Sequence, residues 1–277
     1  MTKNRIFSFI AIFVIYAIAT YGGYLFYTKL PFDYIPSLLI ADALATVLVF
    51  IFSLAFNNAS VYDPYWSVQP IVIVVFFAIF RGLNTLGIIL TAAICYWGIR
   101  LTANWAYTFK NLESQDWRYT MLKEKTGKFY PIINFIGIHM VPTVVVYATT
   151  LPAVVAIYEG ALFKPLCGVA ICLSFAAATI QLIADIQMQS FRKKATGGFI
   201  RVGLWKHARH PNYFGEILMW WGIGLTCLCA MPEYWYLLGG ALANTLLFTF
   251  VSIPMAEKRQ GKKPGFDEYK KETRILI

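Results

Sequence analysis

Residues Pro165 to Phe191 read PLCGVAICLSFAAATIQLIADIQMQSF, 27 residues in which Asp185 is the single charge. About 20 apolar residues in helical form cross the hydrocarbon core of a bilayer, so this run predicts a membrane span. Its polar residues are not scattered. Gln181, Asp185 and Gln189, followed by Arg192, fall at i, i+4, i+8 and i+11, which is one helix face over three turns. The stretch therefore predicts a membrane helix that carries a polar wall.

Working outward, similar runs cover Ile6 to Tyr27, Ser37 to Phe56, Thr85 to Phe109, Ile132 to Tyr158, Tyr213 to Ala230 and Trp235 to Ile253. Together with the first run they make seven clear spans. Tyr65 to Phe80 is a shorter eighth, beginning in the turn-like Asp63-Pro64-Tyr65-Trp66, and it reads either as a span or as a broken, re-entrant element. The expected fold is an all-α polytopic bundle of seven to eight helices, with eight favoured. Composition agrees: 58% of the 277 residues are hydrophobic and 14% charged, against about 25% charged in an average soluble chain. A water-soluble enzyme, a disordered chain and a disulfide scaffold are excluded. The five cysteines lie inside apolar runs without metal-site spacing, and His207 and His210 have no third ligand at zinc spacing, so no metal is expected. No repeat or linker divides the chain. It reads as one membrane domain, with residues 1–130 forming substrate-cavity helices and 131–277 the cofactor-binding helices and polar loops.

The net charge of +10 is mostly topological. Lys110 to Lys128 holds five basic residues, Arg192 to Arg209 six and Lys258 to Arg274 seven; with Lys3 and Arg5 these make 20 of the 24. Loops rich in Lys and Arg stay cytoplasmic, which places both termini on that side of a bacterial inner membrane and favours an even number of crossings. Nucleic-acid binding is not expected. The first run continues apolar to Tyr27, longer than a signal core, and reads as an uncleaved helix.

Ionisable groups at bilayer depth cost about 3 kcal/mol on insertion scales, so each is a functional candidate. The wall from Gln181 to Arg192 suits a ligand with hydroxyls and phosphates. Gly203-Leu204-Trp205-Lys206-His207-Ala208-Arg209-His210-Pro211-Asn212-Tyr213-Phe214-Gly215-Glu216 gathers basic groups before a new helix, where free amides and Arg209 suit an anion. Asn212 and Glu216 are four apart and enter the membrane on one face. The tail, Glu257-Lys258-Arg259 then Phe266-Asp267-Glu268-Tyr269, lies on the same side of the bilayer as that loop. It reads as a basic end on anionic lipid or, with Arg201, Trp205 and the Arg209 loop, as the second wall of a phosphate site. Earlier in the chain, Tyr62-Asp63-Pro64-Tyr65-Trp66 and Tyr96-Trp97-Gly98-Ile99-Arg100-Leu101-Thr102-Ala103-Asn104 form a third constellation. There Asp63 is the candidate partner of Arg100, either as a structural ion pair or beside a flat apolar substrate. His139, alone on an apolar helix, reads as a packing residue.

Gly203-Leu204-Trp205 followed by Arg209-His210-Pro211-Asn212-Tyr213-Phe214-Gly215-Glu216 resembles the signature of the steroid 5-alpha-reductase family, in particular its bacterial DUF1295 branch, over roughly Asp63 to the C-terminus. The resemblance implies a multi-span reductase that takes NADPH on its C-terminal helices and a lipophilic, enone-like substrate on its N-terminal ones. It places Gln181, Asp185, Arg192, Asn212 and Glu216 at cofactor positions, with Arg201, Trp205, Arg209, His210, Tyr213, Glu257, Lys258 and Tyr269 around them. It also implies an acid and a tyrosine at the substrate carbonyl. Asp63 keeps the acid, whereas the family's glutamine and tyrosine positions hold Tyr62 and Trp97. Tyr62, Tyr65 or Tyr96 then supplies the phenol, near Arg100.

Isoprenylcysteine carboxyl methyltransferases and phospholipid methyltransferases share an Arg-His-Pro-x-Tyr motif, so an S-adenosylmethionine-dependent methyltransferase is the rival reading. A non-catalytic lipid-binding protein is the third. Asn212, Glu216 and the face ending in Arg192 favour the reductase. The expected partners are the small-molecule substrate and membrane lipid, with no obligate protein partner evident.

Overall fold

The computed structural model describes residues 4–194 and 197–276; Lys3, counted above among the orienting charges, lies outside them. Eight helical stretches are long and apolar enough to cross a membrane: Arg5–Tyr27, Tyr34–Ala55, Ala59–Arg81, Thr85–Thr108, Trp117–Tyr158, Pro165–Lys193, Pro211–Ala230 and Pro232–Gln260. The chain is a multi-pass, all-α membrane protein. The helices are α1 (Arg5–Tyr27), α2 (Tyr34–Ala55), α3 (Tyr65–Arg81), α4 (Thr85–Thr108), α5 (Trp117–Thr126) and α6 (Tyr130–Ile133). They continue as α7 (Val141–Tyr158), α8 (Pro165–Lys193), α9 (Pro211–Ala230), α10 (Gly239–Leu247), α11 (Ile253–Gln260) and α12 (Phe266–Glu272). The doubtful eighth segment is α3, helical over 17 residues with Pro70 inside it.

Local chemistry sets the boundaries. Asn4 Oδ1 accepts from the Ile6 and Phe7 amides at 2.9 and 3.4 Å, and Asp116 Oδ1 from Arg118 N at 2.8 Å, satisfying donors that a helix start leaves free. Pro165 and Pro211 occupy first-turn positions of α8 and α9, where proline costs no hydrogen bond. Two spans contain π-helical turns. Asn134–Met140 and Phe248–Ser252 are π-helical, which widens the turn just before α7 and between α10 and α11.

The chain forms two compact units: Met1–Ile73 with Leu101–Tyr147, and Val74–Arg100 with Ala148–Ile277. In the first, Ile12, Ile15, Tyr16 and Ala19 of α1 pack with Ala45 and Val49 of α2 and with Tyr62 and Tyr65. The second is built around α8 against α9. A β-carbon on Gly222 would stand 2.8 Å from Ser174 N and 3.0 Å from Ala170 O, and one on Gly215 would stand 2.6 Å from Ala177 O. Glycine thus lets the two backbones touch, and Ser174 Oγ donates to Met219 O at 2.9 Å across the seam. This close approach carries Gln181 and Asp185 of α8 alongside Glu216 of α9.

Candidate functional site

Within the second unit, α4, α8 and α9 assemble a buried polar cluster. Arg100 Nη1 donates to Asp185 Oδ2 at 2.8 Å and Nη2 donates to Gln181 Oε1. Arg100 is 6% exposed and Gln181 1%, so the cation sits in an apolar interior and depends on these partners. The partner expected for Arg100 was Asp63; the structure gives it Asp185 instead. Arg100 is buried and Asp63 half-buried, but spacing does not say which helix packs against which. Glu216, 5% exposed, accepts from Trp97 Nε1 and Trp220 Nε1, both at 2.8 Å, and the two indoles meet edge to face at 4.7 Å. Both its oxygens are engaged, so it ties α4 to α9. Six buried polar atoms among the described residues of this unit lack a partner: Arg100 Nε, Gln181 Nε2 and Asn212 Oδ1 at the cluster and the start of α9, and Thr91 Oγ1, Asn244 Nδ2 and Gln260 Oε1 elsewhere. Asn212 stands in the first turn of α9, which has no side-chain cap. Arg192, in the last turn of α8, is exposed.

The residues around the Arg209 loop are joined to the tail. Arg209 Nε donates to Glu257 Oε1 at 2.8 Å, and Nη1 donates to Lys270 O at 3.2 Å and to Thr273 O. His210 Nε2 lies 2.9 Å from Glu257 Oε1, and its ring stacks on Tyr213 at 5.1 Å. Lys270 Nζ is 3.6 Å from Glu257 Oε2. Backbone bonds Arg209 N to Arg274 O (2.9 Å) and His210 N to Ile275 O (3.1 Å) extend the clasp. Tyr269 OH donates to Trp205 O, Trp205 Nε1 donates to Ala184 O at 3.1 Å, and Arg201 lies over Phe199 and Tyr269. Arg209, His210, Glu257, Tyr269 and Trp205 therefore hold the tail against α8 and α9, while Lys258 is exposed. Burial lowers the His210 pKa below its ordinary value, opposed by the contact with Glu257.

The first unit holds two carboxylate–tyrosine pairs. Asn58 Oδ1 accepts from Ser60 N at 2.8 Å, capping a short 3-10 turn at Ala59–Val61, and Pro64 then leads into α3. This turn sets Tyr62, Asp63 and Tyr65 at the start of α3. Asp63 Oδ1 accepts from Tyr119 OH at 2.6 Å. Tyr65 OH donates to Asp42 Oδ1 at 3.2 Å, and Gln69 Nε2 donates to Asp42 Oδ2. Tyr62 OH shares a 2.8 Å bond with Thr143. The remaining phenol candidate, Tyr96, belongs to the second unit and bonds Thr179 at 3.1 Å. His139 is fully buried, with Nδ1 3.0 Å from Asn134 O and Nε2 without a partner. An apolar cavity of about 540 Å³ lies beside α1 and α3, lined among others by Phe9, Tyr16, Pro64, Val68 and Trp105.

The family model described as a protein of unknown function (DUF1295) matches residues 49–273, most of the chain and every site residue expected from the sequence. The chain belongs to the DUF1295 family. No curated protein and no solved structure matches it.

Four polar residues of the first unit were not singled out in the sequence: Asp42, Gln69, Tyr119 and Tyr16. Asp42 and Tyr16 precede the DUF1295 match. Asp42 had a legible signal, since it is the single charge in the run Ser37 to Phe56 and falls under the depth argument used for Asp185. Tyr16, Gln69 and Tyr119 had none, because an uncharged tyrosine or glutamine does not interrupt a span's hydropathy and only packing shows what it bonds.

Proposed function

We propose that this protein is a membrane reductase that uses NADPH to saturate the activated C=C bond of a lipophilic, enone-like substrate. The observation that carries the reading is the buried Arg100–Asp185–Gln181 cluster, whose Arg100 Nε and Gln181 Nε2 are left without partners inside the protein. Unmet buried donors cost free energy, and such groups persist where a ligand satisfies them. The Arg209-His210-Pro211-Asn212 signature, with its steroid 5-alpha-reductase resemblance, supports the same cofactor.

The residues fit a phosphorylated dinucleotide. Gln181, Asp185 and Asn212 would bond its ribose and amide groups, the positive dipole end of α9 would face its diphosphate, and the exposed cations Arg192 and Lys258 would meet its remaining phosphate. When bound, NADPH supplies the hydride. Glu216 fixes the two indoles and hence the α4–α9 wall. The Arg209–Glu257–His210 clasp holds the tail in place beside the start of α9. The Lys- and Arg-rich loops support a cytoplasmic placement of this site, where NADPH is found.

In the first unit the apolar cavity would take the substrate's body. Both carboxylate–tyrosine pairs are anchored on neighbours of Pro64, which lines that cavity. Tyr65, whose hydroxyl donates to Asp42 and whose ring meets the cavity-lining Tyr16 edge to face at 5.4 Å, is the group assigned to the substrate carbonyl: its one O–H would turn from Asp42 to the carbonyl oxygen and stabilise the enolate. Asp63 with Tyr119 is assigned to position the turn at Pro64.

The test is turnover: purified protein with NADPH and a panel of steroid and non-steroid enones should give saturated product in step with loss of reduced nicotinamide. Methyl transfer from S-adenosylmethionine to a lipid acceptor, with no NADPH consumed on any enone, would replace this reading by the methyltransferase.

A further inference from the structure

The first unit contains a second cavity, of about 290 Å³, where α2 ends and the Trp117–Tyr158 span begins. Its chemistry differs from that of the apolar one. Lys123 and Lys128 both line it, and neither forms an ion pair among the described residues. Lys123 Nζ donates to Asn57 Oδ1 at 3.0 Å and lies 5.8 Å from the centre of the Tyr130 ring. No carboxylate lines the cavity. The Tyr130 hydroxyl is shielded from solvent and has no partner; Asn134 is 3% exposed and its side-chain oxygen has none either. An amide can turn its NH2 end to face an acceptor.

The backbone around the cavity is specialised as well. Asn57 adopts φ +48° and Gly127 φ +50°, and these two left-handed positions shape loops on both sides of the opening. Asparagine is among the few residues that tolerate this region. Two cations and a buried hydroxyl without a partner make a site for an anion with several oxygens, with the Asn134 amide beside them. Beside it, Phe129, Ile132 and Ile136 recur at helical spacing and are each more than half exposed, an apolar strip leading from the cavity along a membrane-spanning stretch.

We propose that this cavity binds the phosphate of an anionic membrane lipid, with the acyl chains along Phe129, Ile132 and Ile136. The site is independent of the reductase reading. The lysines and the Tyr130 hydroxyl neutralise and bond the phosphate, and the strip distinguishes a lipid from a free anion.

Native mass spectrometry of protein released from vesicles of equal phosphatidylglycerol and phosphatidylcholine tests this. Wild type should retain phosphatidylglycerol preferentially. The pair Lys123→Gln with Lys128→Gln, both exposed and so compatible with the fold, should lower that retention about tenfold, the scale of losing one charge-assisted bond. Tyr130→Phe, which changes no charge, should lower it severalfold, and the pair Lys262→Gln with Lys271→Gln should not. Equal loss in the tail pair, or none in Tyr130→Phe, would overturn the site. Thermal stabilisation by inorganic phosphate in lipid-free detergent, with nothing added by phosphatidylglycerol, would overturn the lipid assignment.

Discussion

Arg100 shows how one residue's depth was legible while its partner was not. Removing its guanidinium strands the Asp185 carboxylate in an apolar interior, so Arg100→Ala should lower stability by about 3 to 5 kcal/mol. Adding Asp185→Asn should restore part of it. Thermal unfolding of both variants in detergent reads this directly, and an Arg100→Ala protein as stable as wild type would show the pair is not buried as described. At the substrate end, Tyr65→Phe removes the hydroxyl held by Asp42. Turnover should fall by about a hundredfold, the scale of losing a general acid, while NADPH affinity stays within a factor of about two. Tyr119→Phe, in the pair assigned to positioning, should lower stability more than it lowers turnover. Asp63 was readable because it adjoins Pro64 and two tyrosines at a span start. Asp42 sits alone in an apolar run, where sequence shows the cost of the charge but not the Tyr65 and Gln69 that meet it.

Helices α8 and α9 owe their contact to small residues, and the consequence is measurable. Gly222→Ala would force a methyl onto the backbone at Ser174 and Ala170, an overpacking that costs about 1 to 3 kcal/mol and displaces Gln181 and Asp185 with it. Its melting temperature should fall, and NADPH affinity should fall with it. Gly239→Ala, whose β-carbon meets nothing within 4 Å, is the matched control and should be neutral. Hydropathy gave seven spans outright and favoured the eighth, because length and apolarity are properties of each segment alone; α3, short and opening in a turn, reads from sequence as either a span or a broken element. The polar face of α8 was legible for the same reason, since helical periodicity is local. The π-helical turns at Asn134–Met140 and Phe248–Ser252 were not, because they answer to packing between segments.

At the scale of the whole molecule, the loop before α9 and the tail after α11 lie far apart in sequence yet close on one another through Arg209, His210, Glu257 and Thr273. Burial holds His210 neutral in the folded protein, with a pKa below the ordinary value near 6.5. The unfolded chain therefore takes up the proton first, and this contribution to stability, constant above about pH 6.5, declines as pH falls below it. His210→Gln should flatten that decline over about pH 7 to 5.5, measured by melting temperature across the range. The motif residues were visible as a cluster of cations. That they would bind the tail was hidden, because the acceptors are mostly backbone carbonyls, which carry no mark in sequence. The reductase account rests in the end on the cofactor. Titration of NADPH and of S-adenosylmethionine into the purified protein, by calorimetry, with Asn212→Ala alongside, tests it most directly. The account predicts saturable NADPH binding, weakened about fivefold or more in Asn212→Ala, a loss on the scale of one buried hydrogen bond, with no S-adenosylmethionine binding. Binding of S-adenosylmethionine without NADPH would contradict it.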